Sequence, residues 1–465
     1  MGKTGNWKTK MKQTVVINVV GLTSKILEEN PNLFISKWCN KDKELSLIEP
    51  VLPAVTCSAQ TTYLTGKWPS EHGVIGNGWY NKEQSEVQFW KQSNKIVQAP
   101  SIWEEARNRN SDFTCANMFW WFNMYSSADY SVTPRPQYWA NGLKKPDCYS
   151  QPSGLRDELQ DKFGIFPLFD FWGPKTSIKS SKWIAEASKY VSDKYEPTLQ
   201  LIYIPHLDYG LQKFPEDSKE VQKDITDLDR LLEDLIAYYE NKNIQPVILS
   251  EYGISPVSKP IHLNRVFRKA GLLKIREEQN KELLDAGASD AFAIADHQVA
   301  HIYCSEDREG QVLELLRKTD GIAEILDRQE QIKRKVWHKR SGNFMVIASE
   351  AAWFTYYYWI EDSKAADYAR TVAIHNKPGY DPVELFFDPK KKGITLRAVG
   401  KLILKKLGFR VLFNLIPLDA NLVQGSHGRV AVADSEKPVF ATRGNSKKRL
   451  EGIDIKDLIL SCVFD

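Results

Sequence analysis

Short apolar runs that alternate with amphipathic helical patterns constrain the fold of this chain more than any other feature. Residues 15–20 form a β-branched run, and residues 199–204 and 245–250 form two further apolar runs of strand length. Residues 182–194 and 224–241 between them carry apolar side chains at helical spacing. Fully apolar strands separated by helices are typical of a parallel sheet with helices on both faces. The pattern therefore predicts an α/β fold.

Length and composition indicate an ordinary globular protein. With 465 residues, 42% hydrophobic and 26% charged, the chain has room for about two or three domains. The formal charge of +4 is too small to indicate nucleic acid or a membrane as a partner, and neither is expected. No apolar run reaches the roughly 18 residues of a membrane-spanning helix. The 6 cysteines form no CxxC motif, so we expect reduced thiols and a cytoplasmic protein.

A candidate nucleophile follows the apolar run at 51–55. Thr56 opens a stretch of helical character that continues to Thr65-Gly66, and residues 69–77 then carry His72-Gly73. A hydroxyl between a strand and a helix lies beside free backbone N–H groups that can face an anion. Taken alone, such a threonine is more often a helix N-cap. His72 is expected to be structural.

Three later segments carry polar residues at predicted strand ends or loops: Asp208 with Gln212, Glu251-Tyr252, and His427. Together with Thr56 and in this chain order, they resemble the alkaline phosphatase superfamily. The branch they resemble is that of type I phosphodiesterases/nucleotide pyrophosphatases and phosphonoacetate hydrolases. The resemblance implies a three-layer α/β/α sandwich with an inserted α+β cap. It also implies that Thr56 is the nucleophile and that the strand-end residues are metal ligands.

The chain departs from the pattern of the resembled family at three ligand positions. Val20 stands where the first strand of the family ends in a metal-binding Asp, Gln212 stands for a His, and Glu251-Tyr252 stands for Asp-His. Gln is a much weaker zinc ligand than His, and a phenol rarely binds metals. We expect one divalent ion, Mg²⁺, Mn²⁺ or Zn²⁺, among Asp208, His427, Glu251, Gln212 and Tyr252, and no tightly held second ion in the free protein.

The predicted cap comprises residues 274–400, inserted between core residues 1–273 and 401–465. Residues 291–303 are interpreted as one strand, with a helix at 309–319 and strands at 322–326 and 343–349. The cap is expected to cover Thr56 and to supply aromatic or basic residues from 353–359 or 375–380, because phosphoryl chemistry requires exclusion of water.

Two functions remain open at this stage. The first is a metal-dependent hydrolase or transferase that acts through Thr56 on a phosphodiester, a pyrophosphate or a nucleotide-activated small molecule. The alternative is a catalytically altered or inactive family member that binds an anionic ligand. For either function we expect a small phosphorylated or nucleotide-type ligand, with Arg429, Gln60 and His297 as candidate substrate-binding residues. Arg429 is a candidate because a guanidinium can bind phosphate through two hydrogen bonds.

Overall fold

The computed structural model describes most of the chain. The described residues are 11–40, 45–140, 143–391, 393–394, 399–401, 403–404, 407–409, 411–444 and 447–465. Parts of both predicted units, including residues 1–10 and 395–398, lie outside this set.

The strands are numbered in chain order. They are β1 Thr14–Val19, β2 Leu45–Glu49, β3 Gly78–Asn81, β4 Glu86–Phe89, β5 Cys115–Met118, β6 Tyr130–Pro134, β7 Gln137–Tyr138, β8 Lys144–Lys145, β9 Cys148–Gln151, β10 Leu199–Ile204, β11 Gln245–Leu249, β12 Ser255–Pro256, β13 Lys259–Ile261, β14 Ile275–Glu278, β15 Lys281–Leu284, β16 Ala291–Asp296, β17 Val299–Cys304, β18 Ile322–Leu326, β19 Phe344–Ala348, β20 Ala352–Phe354, β21 Gly425–Ser426, β22 Val439–Ala441 and β23 Arg449–Glu451.

The α-helices are numbered in the same way. They are α1 Ser24–Glu29, α2 Phe34–Asn40, α3 Thr56–Thr65, α4 Pro69–His72, α5 Ile102–Arg109, α6 Gly154–Phe163, α7 Leu168–Phe171, α8 Ile178–Tyr195, α9 His206–Lys213, α10 Lys219–Asn241, α11 Leu263–Lys269, α12 Glu309–Lys318, α13 Arg328–Lys333 and α14 Ile455–Phe464. Short 3₁₀ helices are Asn94–Ile96, Glu306–Arg308, Asp367–Arg370, Pro382–Leu385, Ala420–Leu422, Asp434–Glu436 and Gly452–Asp454. Among the described residues, no helix has the length and apolar character needed to cross a membrane.

A nine-stranded mixed sheet forms the centre of the fold, in the order β23-β2-β22-β11-β1-β10-β5-β6-β9. Strand β1 pairs in parallel with both β10 and β11, so Val16 lies between Leu201 and Val247. All six residues of β1 are buried. Because successive side chains of a strand point to opposite faces, complete burial requires cover on both faces. The predicted α/β class is confirmed.

The parallel pairing brings the carboxyl ends of three strands to one edge of the sheet. Strand β10 ends at Ile204 and leads into α9, and β11 ends at Leu249, just before Glu251 and Tyr252. Strand β1 ends beside them at Val19. In open α/β sheets, ligands bind at this edge.

A second, four-stranded antiparallel sheet has the order β16-β17-β19-β18. The single strand predicted over 291–303 is wrong, because the chain forms a hairpin, β16 and β17, that turns at His297 with φ +63°. The polar sequence Asp296-His297-Gln298 at this turn interrupts the apolar run, and a left-handed backbone conformation reverses the chain there.

Each sheet has its own hydrophobic core. The core of the second sheet includes Val257, Leu263 and Phe267 before residue 274, and Ile416 and Val423 after residue 400. Strand β13 also pairs with β20 of the same region. The predicted unit 274–400 stays a prediction; we propose that the second unit extends beyond it on both sides.

Candidate active site

Thr56 lies at the first position of α3, with Val55 as the N-cap in an extended conformation. Its hydroxyl is buried and forms a 2.9 Å hydrogen bond with the Tyr252 hydroxyl, in which either oxygen can donate. Helix α3 has 10 residues and ends at Gly66, whose φ of +64° suits glycine. The candidate nucleophile therefore lies at a helix N-terminus, as the sequence predicts.

Asp208 lies in the first turn of α9, and Gln212 follows one turn later on the same helix face. The Gln212 amide nitrogen donates to Asp208 Oδ2 at 2.8 Å, and the Tyr380 hydroxyl donates to Gln212 Oε1 at 2.8 Å. The Tyr252 hydroxyl donates to Asp208 Oδ1 at 3.4 Å. Burial raises the pKa of Asp208 to about 7, against the hydrogen bonds from Gln212 and Tyr252 that lower it.

His427 faces Asp208 across the site. Its Nδ1 lies 2.7 Å from the Ala54 carbonyl oxygen, which can only accept, so Nδ1 carries the proton. The other nitrogen, Nε2, then presents a lone pair, and it lies 3.9 Å from Asp208 Oδ1. The expected proximity of these two side chains, which are far apart in sequence, is confirmed.

Four aromatic rings form a stack through the site, with a 36° tilt between the two histidine rings in its middle: Tyr252, His427, His297 and Tyr380. Successive ring centroids are 3.6, 3.7 and 3.5 Å apart. Burial lowers the pKa of both histidines well below the usual value, so both rings are neutral. His297 and Tyr380 come from the region predicted as the cap, and the stack therefore joins that region to the strand ends of the central sheet.

Glu251 and Gln60 are not among the residues that line the pocket. Glu251 Oε1 accepts hydrogen bonds from the side-chain amides of Gln60 and Asn18, while Oε2 has no hydrogen-bond partner among the described residues. Burial raises the pKa of Glu251 to about 8. The Gln60 carbonyl oxygen accepts from the Trp121 backbone N–H. Both the nitrogen and the oxygen of the Gln60 side-chain amide are therefore hydrogen-bonded within the protein.

A pocket opens over Thr56, Asp208, Tyr252 and His427, and its other walls are mostly aromatic. The aromatic wall includes Trp90, Trp121, Tyr138, Phe171, Trp172 and Tyr209. His375 and Tyr380 line the pocket, which confirms the second of the two segments expected to cover Thr56. The other segment, 353–359, does not line it; Trp353 and Trp359 are buried in the core of the second sheet.

The remaining predicted substrate-binding residues have different positions. His297 lines the pocket beside His427. Arg429 is not among the lining residues, and its guanidinium donates to the Ala431 carbonyl oxygen at 3.0 Å. The substrate-binding roles of Arg429, Gln60 and His297 stay predictions.

Asn77 and Asp296, neither of which is a predicted site residue, connect α3 to the second sheet. The Asn77 backbone N–H and side-chain amide donate to Asp296 at 2.7 and 3.0 Å. The Asn77 side-chain oxygen accepts from the Cys57 backbone N–H, in the first turn of α3, at 3.0 Å. The available sequence signal was the position of Asn77 at the end of the 69–77 motif. Tyr380 belongs to the segment 375–380 that was expected to cover Thr56, but only the tertiary structure places its hydroxyl against Gln212.

The side chains at the expected metal-ligand positions do not fit a pair of metal ions. Val20, at the expected position of an acidic ligand, is a fully buried hydrocarbon, and the Gln212 amide nitrogen faces Asp208. No group of three or more His, Cys, Asp and Glu side chains in the described part of the chain is placed to hold an ion. One ion fits better, because Asp208 Oδ1 and the lone pair of His427 Nε2 face each other.

The sheet order, the threonine at a helix start and the polar strand ends together define an alkaline phosphatase-like α/β protein. A sequence model of the family described as type I phosphodiesterase / nucleotide pyrophosphatase matches residues 14–381, and the chain belongs to this family.

Curated relatives are distant. An uncharacterized pyrophosphatase/phosphodiesterase of Schizosaccharomyces pombe is 23% identical over 250 residues, which are 52% of this chain and 45% of that protein. Ectonucleotide pyrophosphatase/phosphodiesterase 2 of Saccharomyces cerevisiae is 23% identical over 268 residues, which are 53% of this chain and 48% of that protein. The match therefore spans less than half the length of either relative.

Solved structures share the fold. Phosphonoacetate hydrolase from Sinorhizobium meliloti 1021, in complex with phosphonoformate, superposes with a TM-score of 0.60 at 13% identity and covers 98% of this chain and 96% of that chain. Murine ectonucleotide pyrophosphatase/phosphodiesterase 5, an inactive form in complex with AMP, has a TM-score of 0.57 at 13% identity, with 97% and 94% covered.

Proposed function

We propose that this protein cleaves a phosphoester or phosphoanhydride bond of a small phosphorylated or nucleotide-type molecule, with Thr56 as the nucleophile. The observation that carries this proposal is the position of the Thr56 hydroxyl, at the N-terminus of α3 and on the pocket wall, 2.9 Å from the Tyr252 hydroxyl. Family membership supports the reaction class, and the AMP and phosphonate ligands of the two structural relatives support the substrate class.

In the proposed reaction, Thr56 Oγ1 forms a bond to phosphorus while the bond from phosphorus to the leaving oxygen breaks. The backbone N–H groups at the start of α3 favour an anion at that position. Tyr252 orients the Thr56 hydroxyl, and the row Thr56–Tyr252–Asp208 is a path along which the hydroxyl proton can move. The aromatic walls exclude water from the pocket. Water later releases the phosphoryl group from Thr56.

A single divalent ion, Mg²⁺, Mn²⁺ or Zn²⁺, belongs to this proposal. Asp208 and His427 would hold it, with the substrate completing its ligands, and it would polarise a phosphoryl oxygen. All six cysteines are free, which supports the cytoplasmic location expected from the sequence.

A second candidate function is binding of an anionic ligand without turnover. The observation that favours it is the replacement of expected ligands by Val20, Gln212 and Tyr252, two of which are hydrogen-bonded to other protein side chains.

The test is a panel of a phosphodiester, a phosphomonoester, a nucleoside triphosphate and a phosphonate, each assayed with Mg²⁺, Mn²⁺ and Zn²⁺. Wild type is compared with Thr56→Ala and Thr56→Ser, and Thr226→Ala on the exposed face of α10 is the matched control. Loss of the nucleophile should lower kcat by at least about a hundredfold.

The proposal predicts turnover that Thr56→Ala abolishes and Thr226→Ala leaves unchanged. Turnover that persists at the wild-type rate in Thr56→Ala would contradict Thr56 as the nucleophile. Ligand binding without turnover under every metal condition would assign the protein to the second function.

A further inference from the structure

Helix α3 begins without a cap from its own N-terminal residue. The N-cap is Val55, and it forms no side-chain cap hydrogen bond because a hydrocarbon side chain cannot accept one. The first backbone N–H groups of a helix have no acceptor within the helix and need one from elsewhere. Since Thr56 occupies the first position of α3, the group that holds the helix start also sets the position of the candidate nucleophile.

Asn77 supplies the missing acceptor from another part of the chain. Its side-chain oxygen accepts from the backbone N–H of Cys57, the second residue of α3, at 3.0 Å. A polar N-cap side chain makes the same kind of bond, to the second or third N–H of its helix. Asn77 therefore caps α3 from the end of the 69–77 motif.

Asp296 holds the Asn77 amide in the orientation that this cap requires. Asp296 accepts from the Asn77 backbone N–H through Oδ2 at 2.7 Å and from the Asn77 side-chain nitrogen through Oδ1 at 3.0 Å. An amide rotated by 180° would turn its oxygen toward the carboxylate and its NH₂ group toward the Cys57 N–H. Asp296, Asn77 and Cys57 are each at most 3% exposed, so these mismatched groups would be costly.

The same hairpin turn also contacts the segment of His427. His297 Nδ1 lies 2.9 Å from Asp296 Oδ1, and the His297 ring lies against the His427 ring. Gln298, the next residue of the turn, donates its backbone N–H to the His427 carbonyl oxygen at 2.8 Å. The turn between β16 and β17 therefore reaches the start of α3 through Asn77 and the other side of the site through His427.

We propose that Asp296 is a positioning residue that acts on Thr56 through Asn77. This inference rests on the proposed function, because it assigns a role in the reaction of Thr56. Asp296 is not among the residues that line the pocket, so it acts through the cap of α3 and not by touching the substrate. Displacement of a reacting group by about 1 Å can lower a rate about a hundredfold. The second sheet thus completes the active site with the turn of a hairpin.

Hydrogen exchange of the full chain, measured by mass spectrometry, tests the link between Asp296 and α3. In Asp296→Asn, an NH₂ group replaces one carboxylate oxygen and faces a donor of Asn77. The peptide that covers residues 55–66 should then exchange at least about tenfold faster, because loss of a cap opens the start of a helix. Peptides of α10 should keep the wild-type rate, which shows that the variant is folded.

Asp388→Asn is the matched control. It makes the same substitution at a position that is only 6% exposed, and the ion-pair partners of Asp388, Arg370 and Lys391, do not line the pocket. Exchange of the 55–66 peptide should not change in this variant.

The double variant Asn77→Asp/Asp296→Asn swaps the carboxylate and the amide. The carboxylate at position 77 can accept from the Cys57 N–H, and the amide at position 296 can donate to that carboxylate and accept from the backbone N–H of residue 77. Exchange of the 55–66 peptide should return to within about threefold of the wild-type rate, because the two substitutions compensate each other. A general loss of packing at position 296 would not be repaired by a change at position 77.

Kinetics test the link to Thr56, on whichever substrate of the proposed panel the wild type turns over. Asp296→Asn should lower kcat at least about tenfold with little change in KM, and the double variant should recover most of the loss. Unchanged exchange of the 55–66 peptide, faster exchange with an unchanged kcat, or an equal loss in Asp388→Asn would overturn the positioning role. Turnover that Thr56→Ala abolishes and Asp296→Asn leaves intact would contradict this role alone, whereas a wild type without turnover would contradict the proposed function itself.

Discussion

At the scale of single residues, Tyr252 and Gln212 show how the protein satisfies buried polar groups where the family resemblance implies metal ligands. The Tyr252 hydroxyl bridges Thr56 and Asp208, and the Gln212 amide connects Asp208 to Tyr380. Buried polar groups without partners are costly, so these bonds stabilise the site in the absence of a full set of ions. Val20 removes a further negative charge, and two divalent ions about 4 Å apart require acidic ligands to offset their repulsion.

Restoring the ligand types should therefore change metal binding. We expect the wild type to retain at most one tightly bound divalent ion after desalting, and the triple variant Val20→Asp/Gln212→His/Tyr252→His to approach two. Mass spectrometry measures the number of metal ions bound per chain in each variant. Because a buried Asp at position 20 can destabilise the fold, Gln212→His alone is measured as well, and Gln222→His on the exposed surface of α10 is the control. Two tightly bound ions in the wild type would contradict the expectation.

At the scale of elements, a buried ion cluster holds the segment that delivers Tyr380 to the pocket. The Lys377 ammonium lies 2.7 Å from Asp381 and 2.6 Å from Glu384, and all three side chains are at most 3% exposed. Glu384 also accepts from the indole N–H of Trp172, which lines the pocket, at 2.6 Å. The segment consists of short 3₁₀ helices and turns, so it depends on these contacts more than a long helix would.

Lys377→Met should leave two buried carboxyl groups without their cation. We expect a loss of about 3–5 kcal/mol in the free energy of unfolding, since breaking a buried ion pair from one side leaves an uncompensated charge. Urea denaturation measures the free energy of unfolding of each variant. Lys333→Met, which removes an ammonium that is 76% exposed beside Glu330, is the matched control and should change stability by under about 1 kcal/mol. Equal effects of the two variants would show that the cluster does not hold the segment.

At the scale of the whole molecule, the two sheets form a closely connected structure. Asn77 binds Asp296, His301 Nε2 lies 3.1 Å from the Ile75 carbonyl oxygen, and the Arg340 guanidinium donates to the Gly73 carbonyl oxygen at 2.5 Å. The core of the second sheet also includes Phe89 from β4. Each connection joins the region around α3 to the second sheet.

We therefore expect the full chain to unfold in one cooperative transition, although proteins with two cores often show several. Urea curves from far-ultraviolet circular dichroism and from tryptophan fluorescence should coincide. A fragment of residues 274–400 should be unfolded, because it lacks Leu263 and Phe267 before its start and Ile416 after its end. Two separate transitions, or a folded 274–400 fragment, would contradict this view.

The sequence alone determined the class of fold and most of the polar strand ends. Apolar runs of strand length, separated by helical patterns, leave few alternatives to an α/β sheet. Thr56, Asp208 and His427 were identified because the motifs around them resemble those of the alkaline phosphatase superfamily. The sequence also located the three departures, at Val20, Gln212 and Tyr252, because a change of residue type is visible without coordinates.

Only the tertiary structure decided which contacts those residues make. Hydrogen bonds and ring contacts depend on atoms brought together from distant parts of the chain, and no local pattern specifies them. The hydrogen bond from Tyr380 to Gln212 therefore has no counterpart in the sequence interpretation, although the segment 375–380 was expected at the site. Gln60 and Arg429 lie outside the pocket lining, and the His297 ring lies against His427 at the turn of a hairpin that the sequence pattern indicated as one strand. Local periodicity determines which elements form, whereas packing between elements determines which side chains meet.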